Sequence, residues 1–458
     1  MTRRADAARL RQHLTHTPAD PIAWLDLAAA EGDLGRAEQA EAAARRAIEL
    51  RFATAEAHRV LARALQAQRK LDDAEHEFEV ALRLRPGYAD AHRDYAQLVW
   101  MRTGRAELAM QRLDSALSAA PHDPGLHFIR SIVLEFVGDV DGALAAAERS
   151  LACEPGDEEL LLHAARLHGR TGNRASALGL TQAAYKARPS SNTQIALCEA
   201  MLASGQVEDA TPMLSQLRGL LPLDQYVIAL EATAWRLRDD PRYHELYDYA
   251  ALVTTQALDP PPGWARLDDF LRAVAEELTH LHCFVSHPFR QSVRGGGQLG
   301  LQESDLARPL IRGLFESIRA AVERHLVKLG EGNDPMRSRN SNRAALTGAW
   351  SVRLASGGSH TDHVHPRGWL SSACYIALPA AIGSGTASDS NPSKDRAGWL
   401  RFGQPGIPTI PVLGADHYIR PEPGVLALFP AYMWHGVEPF VSDEPRLTVA
   451  FDAVPDGP

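Results

Sequence analysis

The feature that most constrains how this chain can fold is a repeat in its first half. Five times an alanine is followed twelve positions later by a proline: Ala74/Pro86, Ala109/Pro121, Ala143/Pro155, Ala177/Pro189 and Ala210/Pro222. An earlier copy places Ala37 in the same context (EGDLGRAEQAEAAARRAIEL), with Glu49 where the proline would fall. The alanines step by 37, 35, 34, 34 and 33 residues, and Gly32, Gly104, Gly138, Gly172 and Gly205 each stand five positions before their alanine. This spacing predicts a helix pair. The glycine ends the first helix by taking a left-handed conformation at little cost. The alanine lies near the start of the second, where a small side chain lets two helices approach, and the proline stops that helix. Each pair presents an apolar face that only a neighbouring pair can cover, so the units are expected to stack as a solenoid.

The pattern resembles tetratricopeptide repeats (TPR), whose period is about 34 residues. The resemblance covers roughly residues 20 to 222, and helices over 223 to 257 are expected to cap the array. It implies a groove that takes a peptide or a partner protein. A self-association surface or a stabilising appendage is the plainer alternative.

Composition narrows the classes further. Of 458 residues, 45% are apolar and 23% charged, with a net charge of −9. No block of Lys and Arg offers a phosphate-neutralising surface, so neither nucleic acid nor a membrane is expected as a partner. The start, MTRRADAARLRQHL, is charged and lacks an apolar core segment, and no run is long enough for a membrane helix. The four cysteines, Cys153, Cys198, Cys283 and Cys374, are scattered without Cys-x-x-Cys spacing, as in a reducing compartment. A cytoplasmic location is expected.

LDPPPGW (258–264) reads as a linker, because successive prolines cannot continue a helix. The expected organisation is therefore a helical repeat domain over 1–257, a Pro-rich linker over 258–264 and a second domain over 265–458. VRGGGQLG contains Gly295-x-Gly297-x-x-Gly300, which formally matches a dinucleotide fingerprint. The next helix begins only near Ser304 or Asp305, so a backbone-shaping loop is the better reading. From Ala349 onward come short strand-like runs: AWSVRLA, WLSSACYIAL, WLRFG, GVLALFP and RLTVAFDA. Many short strands without alternating helices predict an antiparallel sandwich or barrel, with the helix over 303–328 outside it. The small, polar segment 380–398 is expected to be a long loop able to act as a lid.

Three features line up in this half. GGSHTDHVHP holds His360, Asp362, His363 and His365. In a straight strand residues 360 and 362 share one face, and 363 and 365 share the other. Either pair could therefore serve a metal, but not both. His435 follows the apolar strand GVLALFP. Arg446 comes eleven residues later, in RLTVAF. Alternation sets Arg446 and Thr448 on one face of that last strand. Burying an unpaired guanidinium costs several kcal/mol, roughly, and a bound carboxylate would satisfy it.

This order resembles the Fe(II)- and 2-oxoglutarate-dependent oxygenases of the double-stranded β-helix (jelly-roll) fold. More narrowly, HPFRQSVRGGGQ, HVHPRGWLSS-x-x-Tyr and FP-x-x-x-x-His resemble a bacterial group within them, over about residues 280 to 455. The resemblance implies a multidomain protein, an all-α TPR-like solenoid followed by a mainly β jelly-roll domain with flanking helices. It implies metal ligands His363, His365 and His435, with His360 and Asp362 as the alternative first pair. No catalytic residue is expected beyond these. Arg446, Thr448 and Tyr375 would bind 2-oxoglutarate. Fe(II), 2-oxoglutarate and O2 are the implied cofactor and cosubstrates, and hydroxylation the implied reaction. Position 365 departs from the wider superfamily, which has a carboxylate there, so a three-histidine site would lack one compensating negative charge. With the repeats attached, a peptide or protein substrate is expected. The rivals are a small-molecule hydroxylase with oligomerising repeats, a non-catalytic TPR scaffold with a degenerate jelly roll, and a cupin-type enzyme without 2-oxoglutarate.

Overall fold

Each copy of the repeat folds as two helices broken at the left-handed position. In one copy the helices are Ala89–Thr103 and Ala106–Ala119, and Gly104 between them has φ 65°. Gly138, Gly172 and Gly205 take the same conformation in their copies. Two copies solve the turn differently. Gly32 lies inside the helix Pro21–Asp33, and Gly35, with φ 74°, makes the turn. In the next copy Arg69 adopts φ 63° without a glycine. Ala37, Ala74, Ala109, Ala143, Ala177 and Ala210 are all buried. Each paired proline stands two residues past the end of its helix, as at Ala119 and Pro121. Aspartates at helix starts, such as Asp123 before Pro124, accept a backbone N–H that the helix cannot satisfy itself.

The structure, a computed structural model, describes residues 3–380, 382 and 396–456. Most of the expected lid over 380–398 lies outside the described residues. The chain divides into two compact units. The first comprises Met1–Pro155 together with Gln302–Leu306. In it the buried Asp305 accepts from both terminal nitrogens of Arg69, at 2.6 and 3.1 Å. The left-handed residue of that repeat thus carries a side chain with a task. The second unit comprises Gly156–Leu301 and Ala307–Pro458 and holds the later helix pairs and all the strands described below. No helix among the described residues is long and apolar enough to cross a membrane.

The strands, in chain order, are β1 (Thr254–Ala257), β2 (Val293–Gly300), β3 (Ala344–His363), β4 (Leu370–Ala377), β5 (Leu400–Phe402), β6 (His417–Ile419), β7 (Val425–Pro430), β8 (His435–Val437) and β9 (Arg446–Pro455). They form one curled antiparallel sheet in the order β1-β7-β4-β9-β3-β8-β5-β6, with β2 also on β3. The long β3 lies between β9 and β8 and links the two parts of this arrangement. Its first part pairs with β9 and its last residues with β8. β4 and β7 are buried almost throughout and form the apolar centre. The amphipathic helix Pro309–Leu329 covers β1 and β7 with Ile311, Leu314, Phe315, Ile318 and Val322, spaced three to four apart.

Two expectations need correction. Residues 223–257 are not all helical, because Thr254–Ala257 is the edge strand beside β7; its β-branched threonines suit a pleated surface. The glycine-rich segment is a strand, not a loop. Its glycines permit close packing: a Cβ on Gly296 would meet the Arg353 carbonyl oxygen at 2.4 Å, and Gly295 has φ 65° at a register shift.

Candidate metal and cosubstrate site

The end of β3 is not a straight strand, and this decides which side chains meet. His363 pairs with His435, while His360 pairs with Val437, so two intervening residues of β3, Thr361 and Asp362, stand against one of β8, Gly436. This bulge reverses the alternation between positions 360 and 363. Both imidazoles lie on the same side, with ring centroids 6.1 Å apart and planes 19° from parallel. Asp362 is directed elsewhere. Its two oxygens accept from Arg401 Nε and Nη2, each at 2.8 Å, and one also accepts from Gln404 at 2.9 Å.

His365 lies beyond β3, in the turn that leads to β4. Its backbone N–H donates to the Ala431 carbonyl at 3.0 Å, which ties the turn to the segment preceding His435. That segment is itself anchored. Trp434 Nε1 donates to Thr233 Oγ1 at 3.0 Å, and Tyr247 Oη donates to the Tyr432 carbonyl at 3.0 Å.

Three histidines converge here. One ring nitrogen from each of His363, His365 and His435 falls within 4.8 Å of the others. Their opposite nitrogens are all committed. Nδ1 of His363 donates to the Thr361 carbonyl and Nδ1 of His435 to the Met433 carbonyl, both at 2.9 Å. Nδ1 of His365 donates to Asp452 at 2.5 Å. Carbonyls and carboxylates only accept, so in each neutral ring the proton is on Nδ1 and the lone pair on Nε2. The Nε2 atoms of His363 and His365 then face each other at 3.1 Å as two lone pairs. Such a pair repels unless a cation or a proton lies between. The Ser292 hydroxyl stands 3.3 Å from His363 Nε2 and 3.1 Å from His360 Nδ1, and its single proton can serve only one.

Burial favours the neutral form of His363, His435 and His360. It holds His363 down at about 3, helped by the neighbouring His365. Burial first, then the adjacent imidazoles, push His435 and His360 well below the ordinary histidine value. Phe429 lies against His435, with ring centroids 4.6 Å apart, and Trp350 stacks on His365 at 5.7 Å. Neutral, preoriented imidazoles in a partly dry setting are what a divalent metal requires.

A second cluster lies on β9 and β4. Arg446 opposes Leu354 of β3, and Thr448 opposes Tyr375 of β4. The Arg446 guanidinium carbon stands 5.3 Å from the centre of the Tyr375 ring. All three are buried, and Arg446 is only 2% exposed. Arg446 Nε and the Tyr375 hydroxyl have no hydrogen-bond partner among the described residues. Burial lowers the Arg446 pKa and pushes Tyr375 up to about 12. β3 links the two clusters: Arg446 pairs with it at Leu354, and His363 ends it.

Residues 348–452 match the family described as "Putative 2OG-Fe(II) oxygenase". All three converging histidines, Tyr375, Arg446 and Thr448 fall inside this matched segment. Residues 59–124 match a tetratricopeptide-repeat family. No curated protein matches the chain. Among solved structures, a thermophilic TPR protein of Thermus thermophilus is 22% identical over 40% of this chain and 99% of its own, with a TM-score of 0.33. PilF of Pseudomonas aeruginosa is 21% identical over 44% and 92%, with a TM-score of 0.33. YrrB, described as a TPR protein with an unusual peptide-binding site, is 21% identical over 41% and 96%, with a TM-score of 0.25. Likenesses this low say nothing of what the present chain binds.

The other histidines have local roles. His282 Nε2 meets Ser351 Oγ at 2.9 Å, His280 Nδ1 donates to the Glu276 carbonyl at 2.7 Å, and His417 stacks on Tyr249 at 4.7 Å. His287 is buried. Sequence reasoning missed Asp452, Ser292 and the Arg401 partner of Asp362. One of these had a signal. Asp452 is the one acid in the final strand and has the same parity as Arg446 and Thr448.

Proposed function

We propose that this protein is an Fe(II)- and 2-oxoglutarate-dependent dioxygenase that hydroxylates a peptide or protein recruited by its TPR repeats. His363, His365 and His435 would hold the metal, and Arg446 with Thr448 and Tyr375 the cosubstrate. The observation that carries the reading is the arrangement of the three imidazoles. Each has its Nδ1 proton committed and its Nε2 lone pair turned inward, a donor set suited to Fe(II). The orphaned Nε of buried Arg446 supports the second half, because a guanidinium fork matches a carboxylate. When bound, iron, 2-oxoglutarate and O2 supply the oxidising chemistry that places a hydroxyl on a C–H carbon, with succinate and CO2 as coproducts.

The chain's own residues orient and shield. The Thr361 and Met433 carbonyls and the Asp452 carboxylate keep the imidazoles in one tautomer. Arg446 neutralises a buried carboxylate, and the Tyr375 hydroxyl and Thr448 are placed to share it. Phe429, Phe402 and Trp350 limit water around the rings. The curled antiparallel sheet is consistent with a jelly roll, and its residues carry the site in the order the oxygenases use. The repeats supply a protein-binding element in the same chain as an oxygenase segment, which favours a macromolecular substrate. A cytoplasmic location fits the scattered free cysteines.

The test is an anaerobic titration with Fe(II) and 2-oxoglutarate, following the visible absorption of their chelate. Wild type should give the band, Asp362→Ala should keep it and His365→Ala should lose it. Loss with Asp362→Ala alone in a folded protein would move the site to His360 and Asp362. Metal binding without any band would favour a cupin-type reading, and no metal binding a scaffold.

A further inference from the structure

A site of three neutral imidazoles carries no negative charge of its own, whereas a metal-binding carboxylate would supply one. Resting on the three-histidine reading above, we infer that Asp452 supplies that charge from behind His365, as a positioning residue that tightens the metal without touching it.

Three observations place the carboxylate for this role. Asp452 Oδ1 accepts from His365 Nδ1 at 2.5 Å, the shortest polar contact the three rings make. A hydrogen bond to an ionised acceptor is stronger than one to a carbonyl, and it makes the far nitrogen of the ring a better donor. The same oxygen accepts from Ser371 Oγ at 3.0 Å, so the carboxylate is held from the β4 side as well. The approach is also built into the backbone. A Cβ on Gly368 would stand 3.1 Å from Ala431 Cβ and 3.5 Å from both Asp452 Cγ and His365 Cβ. Only a residue without a side chain sits easily in that corner. The Gly368 N–H donates to the His365 carbonyl at 3.0 Å and closes the turn.

Asp362, by contrast, cannot do this work. Its charge is already matched by Arg401, and its oxygens reach none of the three rings. Asp452 faces no arginine or lysine partner among the described residues, so its charge is available to the metal side of His365.

The experiment measures metal affinity and potential, independently of turnover. Wild type, Asp452→Asn, Asp452→Ala and Ser371→Ala would be titrated anaerobically with Co(II) and with Fe(II), and the Fe(III)/Fe(II) potential read where iron binds. Asparagine keeps the shape and can still accept from Nδ1, so it removes the charge alone. We expect about 10-fold weaker metal binding in Asp452→Asn and about 100-fold in Asp452→Ala. The potential should move upward in Asp452→Asn, because loss of a nearby anion disfavours Fe(III). Ser371→Ala, which leaves the charge in place, should change both readouts least. Asp452→Asn binding metal within twofold of wild type at an unchanged potential would overturn the inference while leaving the three-histidine reading intact. Failure of folded wild type to bind either metal would overturn both. A thermal melt of each variant shows that the fold is retained, and Asp452→Asn carries the test if Asp452→Ala does not fold.

Discussion

Two arginines in the same sheet, one partly and one fully buried, have opposite surroundings. Arg401, on β5, is gripped on both sides. Asp362 takes two of its nitrogens and Glu438 takes a third at 3.1 Å. Burial works against its charge, but the hydrogen bonds and charge of Asp362, with those of Glu438, outweigh it and raise the pKa. Arg446, on β9, is more deeply buried, has an unpaired Nε, and has its pKa lowered by burial. The first arginine completes a structural ion network. The second keeps an orphaned Nε among the described residues, which is why it is proposed to meet a carboxylate from outside the chain. The same division separates the acids nearby: Asp362 belongs to the network, Asp452 to the histidines.

The comparison can be broken by substitution. His435→Ala should abolish metal binding while leaving the Arg401 network and the fold intact, as read by metal titration and circular dichroism. Arg446→Met should weaken 2-oxoglutarate binding by about 100-fold, the loss of two charged hydrogen bonds, yet spare the metal. The ligand-free protein should be no less stable, since a buried cation that lacks a partner for its Nε has gone from the interior. Arg401→Met should do the reverse. It strands Asp362 and Glu438 and should cost roughly 3–5 kcal/mol in a denaturant melt, with little change in cosubstrate affinity per folded molecule. Equal stability losses for the two arginine variants would erase the distinction.

Acid sharpens the contrast. His363 titrates near 3 when folded, against about 6.5 for a free imidazole. Between these values the unfolded chain binds the extra proton and the folded one does not. Stability of the metal-free protein should therefore fall as pH drops from about 6.5 toward 3. Metal should raise stability most at the upper end of this window, where protons do not compete for Nε2. The smallest effect expected is far from both arginines. Gly138 has φ 101° with open space around it, so Gly138→Ala strains only the backbone and should cost about 1 kcal/mol, with no change in metal or cosubstrate binding.

Much of this was legible in the residues. The helix pairs follow from local causes, a left-handed turn, a small contact residue and a proline stop, and these act within a few positions. β4, β7 and β9 follow from apolar runs with turn residues at their ends. His363, His365, His435 and Arg446 were visible as chemistry needing an explanation, and the structure brings the three histidines together. What the residues hid was a matter of register and of partners distant in sequence. Strict alternation put His360 and His363 on opposite faces. A single extra residue, accommodated by pairing with β8, put them on the same side. No local signal marks that bulge, because it is decided by the strand opposite.

The chain by itself determined where its turns, helices and strands would form and which residues are costly to bury unpaired. Tertiary structure decided who pairs with whom. It gave Asp362 to Arg401, across 39 residues, and Asp452 to His365, across 87. Among the described residues it gave Arg446 no carboxylate. Periodicity is local and survives in the sequence, whereas the choice between two acids for one imidazole depends on how strands far apart in the chain come to lie side by side.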